Sequence, residues 1–152
     1  MLFSKGNCMN IIFLLKPKSA VAHINSRSSI RQGLEKMRCH GYKALPVIDE
    51  CGRYVGTVTE GDFLWYIVDG GMQGDLREHE NTTIGELIKG DRTKPVRINA
   101  SMDELLEIAA DQNFAPVVDD RDSFVGIVTR SDIIRYFSRE QDKNTSGAHG
   151  IA

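Results

Sequence analysis

Two short stretches of this chain carry the same chemically useful groups at the same spacing, Gly56-Thr57-Val58-Thr59-Glu60-Gly61-Asp62 and Gly126-Ile127-Val128-Thr129-Arg130-Ser131-Asp132. Each reduces to Gly-x-x-Thr-x-x-Asp. Taken singly, a Thr followed three residues later by Asp reads as a helix start: the hydroxyl caps a free N–H, the carboxylate offsets the helix dipole, and such a cap is worth about 1 kcal/mol. The duplicated set, with its leading Gly, is also complementary to a nucleotide. Gly permits close approach of a ligand, the helix-start N–H groups and the hydroxyl can hold a phosphate, and the carboxylate can take both hydroxyls of a ribose.

The elements that must position these groups are duplicated too. Leu45-Pro46-Val47-Ile48-Asp49 and Tyr54-Val55-Gly56-Thr57-Val58-Thr59 return as Ala115-Pro116-Val117-Val118-Asp119 and Phe124-Val125-Gly126-Ile127-Val128-Thr129. From Pro46/Pro116 through Tyr66/Tyr136 the offset is 70 without a gap. Ser29 with Gln32, and Ser101 with Glu104, are capping-box signals for a helix bearing Ile30, Leu34 and Met37 in one copy and Leu105, Ile108 and Ala109 in the other. Two β-branched runs follow, Pro46 to Ile48 and Tyr54 to Val58, joined by Asp49-Glu50-Cys51-Gly52, which suits a tight turn. The second copy has Asp119 to Asp122 without the Gly, and a looser turn is expected there. A second helix covers roughly Gly61 to Val68 and Ser131 to Phe137. Short strands, Ala20 to Ile24 and Val96 to Asn99, precede the first helices.

Each unit of about 55 to 60 residues lies near the lower limit for independent folding, so the two are expected to share one folding unit. The boundaries read as 9–70 for the first motif, 71–83 for a Gly-rich, acidic connector, 84–138 for the second motif and 139–152 for a flexible tail. Thr83 with Glu86 caps a short helix at Ile84 to Ile88. Met1 to Cys8 are read as peripheral, with Met9 as an alternative start.

With 19 basic against 21 acidic side chains in 152 residues, the formal charge is −2, which supplies no field for a nucleic-acid backbone. Three cysteines, Cys8, Cys39 and Cys51, show no paired spacing and argue for a reducing compartment, against a disulfide framework and against structural zinc. The most apolar stretch, Ile11 to Leu15, is too short to span a bilayer or to act as a secretory segment, so a cytoplasmic location is expected and no membrane partner. His23, His40, His79 and His149 are scattered, with no metal-ligand spacing. The residues therefore argue against an enzyme and against a resident metal.

In sum the chain resembles a pair of CBS domains, the small regulatory modules named after cystathionine beta-synthase, over about Leu15 to Phe137. The carriers are the Pro-Val-hydrophobic-Asp strand, the turn, and the hydrophobic-Gly-hydrophobic-hydrophobic-Thr strand end with an Asp three positions later. The resemblance implies an α+β (α/β) fold of tandem CBS motifs, each a small sheet with two packed helices, related by a pseudo-two-fold axis and forming two clefts. It implies that Asp62 and Asp132 hold a ribose and that Thr59 and Thr129 contact phosphate or ribose. It further implies that Lys43, Ala44 and Leu45, with Phe114 and Ala115, line base and phosphate, and that Ala22, His23 and Ile24, with Val96 and Ile98, give backbone contacts to an adenine ring.

Glu60 and Arg130 occupy the variable position between Thr and Asp, and only Arg130 favours phosphate. Lys43 gives the first copy a cation where the second has Asn113, so the clefts are not expected to be equal. Pro17-Lys18 resembles small bacterial stand-alone CBS-pair proteins, some of them associated with cyclic dinucleotides. The expected function is non-catalytic sensing of an adenine nucleotide or adenosyl ligand, with AMP, ADP, ATP, S-adenosylmethionine and cyclic di-AMP as candidates. The resemblance also implies a homodimer, with Trp65 at the interface, and an unidentified regulated protein. A structural or protein-interaction module without ligand binding is the alternative.

Overall fold

A computed structural model of the chain describes residues 10–71, 80–88 and 93–147. Two helices open on the capping boxes expected of them. In the first, Gln32 N donates to Ser29 Oγ (3.2 Å) and Ser29 N to Gln32 Oε1 (2.9 Å), starting α1 (Ile30–His40). Ser101 and Glu104 make the same reciprocal pair ahead of a second helix, Met102–Asp111. The first ends on Gly41 in the left-handed conformation (φ +65°), whereas the second runs out at Gln112 in extended backbone.

In chain order the remaining elements are β1 (Lys16–Pro17) and β2 (Ile24–Asn25) before α1, then β3 (Ala44–Ile48), β4 (Tyr54–Thr59) and α2 (Glu60–Tyr66). A π-helical turn, Ile67–Gly71, extends α2. The second half follows with α3 (Ile84–Leu87), β5 (Val96–Arg97), α4 (Met102–Asp111), β6 (Phe114–Val118), β7 (Phe124–Thr129) and α5 (Arg130–Gly147). One sheet has the order β2-β3-β4, and the other β1-β7-β6-β5. In both, a short parallel strand leads into an antiparallel hairpin whose registers match: Pro46 faces Thr57 as Pro116 faces Ile127. The α+β tandem architecture is therefore the one the repeat implies.

Four expectations are corrected. Both strands before the first helices are shorter than read, and the first also starts later, because Lys18–Ala20 forms a 3-10 turn; the second starts at Val96 as read, and backbone turns close directly behind the strands, with Ser28 N donating to Asn25 O (3.0 Å) and Ala100 N to Arg97 O (2.8 Å). The second hairpin turn is no looser than the first. Asp49 Oδ1 accepts from Cys51 N and Arg53 N at 2.8 and 2.9 Å, and Asp119 Oδ1 accepts from Arg121 N and Ser123 N at 2.9 and 2.9 Å. Asp122 takes the left-handed position of Gly52 (φ +62° against +79°), a conformation that a short polar side chain tolerates better than most.

The stretch after Ser138 does not begin a tail: α5 runs on to Gly147, with no Pro or Gly inside it and a Lys143–Glu140 pair at 3.2 Å along it. Finally, the halves do not each contain their own leading segment. The 3-10 helix Ile11–Leu14, read as part of the first motif, buries Ile11 in the second core among Val96, Leu105, Val117, Val128 and Ile133. In exchange, Ile84 and Leu87 of α3 are buried in the first core with Ile30, Leu45, Val58 and Phe63. Met1 to Met9 and most of the connector lie outside the described residues.

The hairpins also join end to end. Tyr54 N donates to Asp122 O (3.1 Å) and Phe124 N to Gly52 O (2.9 Å). The Tyr54 hydroxyl donates to Thr93 O (2.9 Å) and lies 2.8 Å from Thr57 Oγ1, and burial pushes its pKa up to about 12.

The repeated glycines serve this exchange. The space beside Gly126 is taken by the backbone of Lys16 and by Leu15, and that beside Gly56 by Ile88. A Cβ at Gly126 would strike the Lys16 carbonyl oxygen, whereas a Cβ at Gly56 would meet the side chain of Ile88 at 2.6 Å. The close approach is thus to the protein's own chain, not to a ligand as the sequence suggested. Gly126→Ala is expected to lower unfolding free energy by roughly 1–3 kcal/mol, and more than Gly56→Ala does, because a backbone obstacle yields less than a side-chain tip. Urea denaturation of the two variants checks the order.

Candidate functional site

Both Thr-x-x-Asp junctions form at a strand end, where β4 or β7 gives way to a helix. At the first, Asp62 Oδ2 accepts from Thr59 N (2.8 Å) and Thr59 Oγ1 (2.9 Å), and Asp62 N donates back to Thr59 Oγ1 (3.3 Å). Asp62 is only 6% exposed. At the second, Thr129 Oγ1 donates to Asp132 Oδ2 (2.7 Å) and Asp132 N donates to Thr129 Oγ1 (3.2 Å). Here two cations join the carboxylate: Lys16 Nζ lies 3.2 Å from Oδ2 and Arg135 Nη1 lies 3.2 Å from Oδ1.

Asp132 opens onto a cavity of about 490 Å³ lined by Phe13 to Lys16 on one side and by Asp132, Arg135, Tyr136 and Arg139 of α5 on the other. The cavity combines one carboxylate, three cations and two aromatic rings. That set suits a ligand with a diol, a phosphate and a flat base.

The other candidates are distributed differently. Leu45 and Ala115 turn their side chains into the two cores, as do Ile24 and Val96, so only backbone is left for a ligand at these four positions. Ala44 and Phe114 pair with Thr59 and Thr129 across the hairpins and are partly exposed. The Lys43 side chain is exposed, and its carbonyl accepts from Glu60 N (3.0 Å), as Asn113 O accepts from Arg130 N (2.9 Å). Ala22 packs at the margin of the first core and Ile98 at that of the second. His23 Nδ1 is 2.9 Å from Val21 O, and its ring lies against Phe124.

Arg130, expected to favour phosphate, has another task. Its Nε donates to Ala109 O (2.7 Å) and Gln112 O (3.2 Å), closing the carbonyl end of α4. That helix lacks the left-handed Gly that ends α1, so its last carbonyls need an outside donor. The change from Glu60 to Arg130 thus follows the change in cap.

Sequence reasoning missed Lys16, Arg135, Tyr136 and Arg139. The last three stand three, four and seven residues beyond Asp132, on one helical face, and that spacing was open to view. Lys16 had no such signal, since it arrives by pairing of β1 with β7, Lys16 opposite Ile127.

The Thr129 hydroxyl, followed by Lys16 and Arg135, holds the Asp132 carboxyl below its ordinary value of 3.8 against the opposing effect of partial burial. A depressed folded-state pKa contributes stability that is present above the unfolded value and is lost as pH falls through the folded one. In an NMR titration, the Asp132 carboxyl is expected to titrate below 3.8 and to move upward in both Thr129→Val and Lys16→Met. An unchanged midpoint in Thr129→Val contradicts the assignment of the hydroxyl as the leading cause.

Among the described residues no helix is long and apolar enough to cross a membrane. Comparison with known proteins places this geometry in context. A crystal structure of CbpB in complex with c-di-AMP superposes with a TM-score of 0.82 at 24% identity, covering 92% of this chain and 91% of that one. CBSX2 in complex with AMP gives a TM-score of 0.69 at 22% identity over 87% of this chain and 98% of that one. At these identities the likeness shows the fold. The protein MJ1225 of Methanocaldococcus jannaschii is 27% identical over 127 residues, 77% of this chain and 45% of that protein, and the chain likewise spans less than half of cystathionine beta-synthase of Dictyostelium discoideum and of the protein MK0525 of Methanopyrus kandleri. The CBS domain profile matches residues 15–69 and 91–139, more than half of the sequence, and the chain therefore belongs to the CBS domain family, whose modules are regulatory and non-catalytic.

Proposed function

We propose that this chain is a cytoplasmic sensor that binds an adenine nucleotide at the Asp132 junction and, through the resulting change in its own conformational equilibrium, regulates a partner protein. The observation that carries the reading is the cavity in which Asp132 meets Lys16, Arg135 and Arg139. A carboxylate can accept from both hydroxyls of a ribose, and the surrounding cations offset the charge of a phosphate. The similar folds of CbpB, solved with c-di-AMP, and CBSX2, solved with AMP, support this ligand class. Signalling then requires differential affinity, since a ligand shifts an equilibrium only by preferring one state.

A homodimer fits the exposed apolar positions of the second helices. Leu64, Trp65 and Val68 are 55%, 56% and 61% exposed, and Ile134 of α5 is 57% exposed. Such side chains on a small module gain from burial against a second copy.

The alternative, a scaffold whose clefts hold no ligand, is favoured at the first junction by the burial of Asp62 and by Ile88 filling the space beside Gly56. Calorimetric titration with AMP, ADP, ATP, S-adenosylmethionine and cyclic di-AMP separates the readings. At least one is expected to bind, and Asp132→Ala is expected to weaken it by roughly tenfold or more, since a charged hydrogen-bonding partner is lost. Loss of stability in the same variant should stay near the roughly 1 kcal/mol of a helix cap. Silence from all five ligands at millimolar concentration overturns the sensor reading.

A further inference from the structure

Lys16 and Asp132 belong to opposite ends of the chain, yet their charged groups lie 3.2 Å apart at the mouth of the cavity. The Lys16 side chain is 49% exposed and that of Asp132 22%, so the pair is a partly solvated one, of the kind that contributes little net stability and is readily exchanged. Asp132 Oδ2 already accepts from Thr129 Oγ1 (2.7 Å), and Lys16 adds to that same oxygen, while Arg135 holds Oδ1. A ribose diol that reaches this carboxylate competes directly with Lys16. The backbone of Lys16 stays where it is, pinned by pairing with β7 and by its close seat on Gly126, so the displaced ammonium can swing only on its own four-carbon stem. Within that reach lie the cavity walls formed by Arg135 and Arg139.

Resting on the nucleotide reading above, we propose that Lys16 is the specificity-determining cation of the Asp132 cleft, exchanging the carboxylate for the ligand's phosphate. A nucleoside that takes Asp132 must break the ion pair and gives Lys16 nothing back. A phosphorylated ligand breaks the same pair and supplies a new anion. The cleft therefore discriminates by charge on the ligand as well as by the sugar, and the discrimination sits in one side chain from outside the repeated motif. Nothing comparable is available at the position of Arg135 in the first copy, where the 70-residue offset places Trp65.

The test compares AMP, ATP and cyclic di-AMP with uncharged adenosine, by calorimetry, on the wild-type chain, Lys16→Met and Lys16→Arg. For the phosphorylated ligand that binds best, Lys16→Met is expected to weaken binding on the order of tenfold, with adenosine unchanged or tighter, because its competitor for Asp132 is gone. Lys16→Arg is expected to retain most of the preference for the phosphorylated ligand. Circular dichroism melting of both variants confirms that each is folded, and the preserved charge in Lys16→Arg keeps the test decisive should Lys16→Met unfold. Equal losses for adenosine and the nucleotide in Lys16→Met, or an undiminished preference for the nucleotide, overturn the role of Lys16 and leave the nucleotide reading standing. A wild-type chain that binds none of these four, nor ADP or S-adenosylmethionine, overturns both.

Discussion

Neither half of this molecule closes its own core. Ile11, ahead of the first matched CBS segment (15–69), is buried among the side chains of the second half, and Ile84, ahead of the second (91–139), is buried among those of the first. Full burial of an Ile side chain contributes roughly 1.5–3 kcal/mol, a large share of what a half of this size can spare. The exchange is therefore a condition of folding. It also dictates the glycines: Gly56 and Gly126 stand where Ile88 and Lys16 cross the strand ends, and any Cβ would collide there. The two hairpin turns then meet through Tyr54, Gly52, Asp122 and Phe124, so the halves are tied at both ends of their sheets.

The same exchange sets what each junction can do. The backbone of the two copies is alike to the level of turn hydrogen bonds, and in both the Thr hydroxyl caps its helix by accepting from the Asp backbone N–H. The surroundings differ. Asp62 is buried, whereas Asp132 stands on a cavity wall with cations from two separate elements. The Asp62 carboxylate accepts from the Thr59 N–H and hydroxyl, whereas that of Asp132 accepts from the Thr129 hydroxyl and meets Lys16 and Arg135. Duplication supplied two junctions of one shape, and side chains outside the shared pattern made them chemically unequal.

What could be read from the amino-acid order follows from how local each cause is. Capping boxes at Ser29 and Ser101, the hairpins and the Thr-x-x-Asp junctions are decided within a few residues, and the fold shows them in place. The second turn misled because Asp122 was judged by the absence of Gly, although Asp also reaches the left-handed region. Arg130 answers to the preceding helix: only the ending of α4 without a Gly reveals why its Nε is needed there. The face of Asp132, Arg135, Tyr136 and Arg139 is visible as helical spacing, but a helix ending at Phe137 leaves out Arg139, and only the longer α5 completes the face. Lys16 is the case that no local rule reaches, since its partner lies 116 positions along the chain and they meet only through the exchanged segment.

That non-local origin bears on how occupancy of the cleft can be felt elsewhere. Asp132 is fixed to the start of a long helix, whereas Lys16 belongs to a two-residue edge strand whose Pro17 has no N–H to give the ladder. A ligand that changes what Lys16 pairs with alters the charge balance at this strand and at the 3-10 helix before it, which carries the exposed Ile12 and Phe13 beside the buried Ile11. The segment thus joins three things in six residues: an anchor in the second core, a cation at the Asp132 carboxylate, and exposed apolar side chains. Coupling between a cleft and the rest of a fold needs an element whose energy both can change, and here the leading segment touches the cavity through Phe13 to Lys16 and the second core through Ile11.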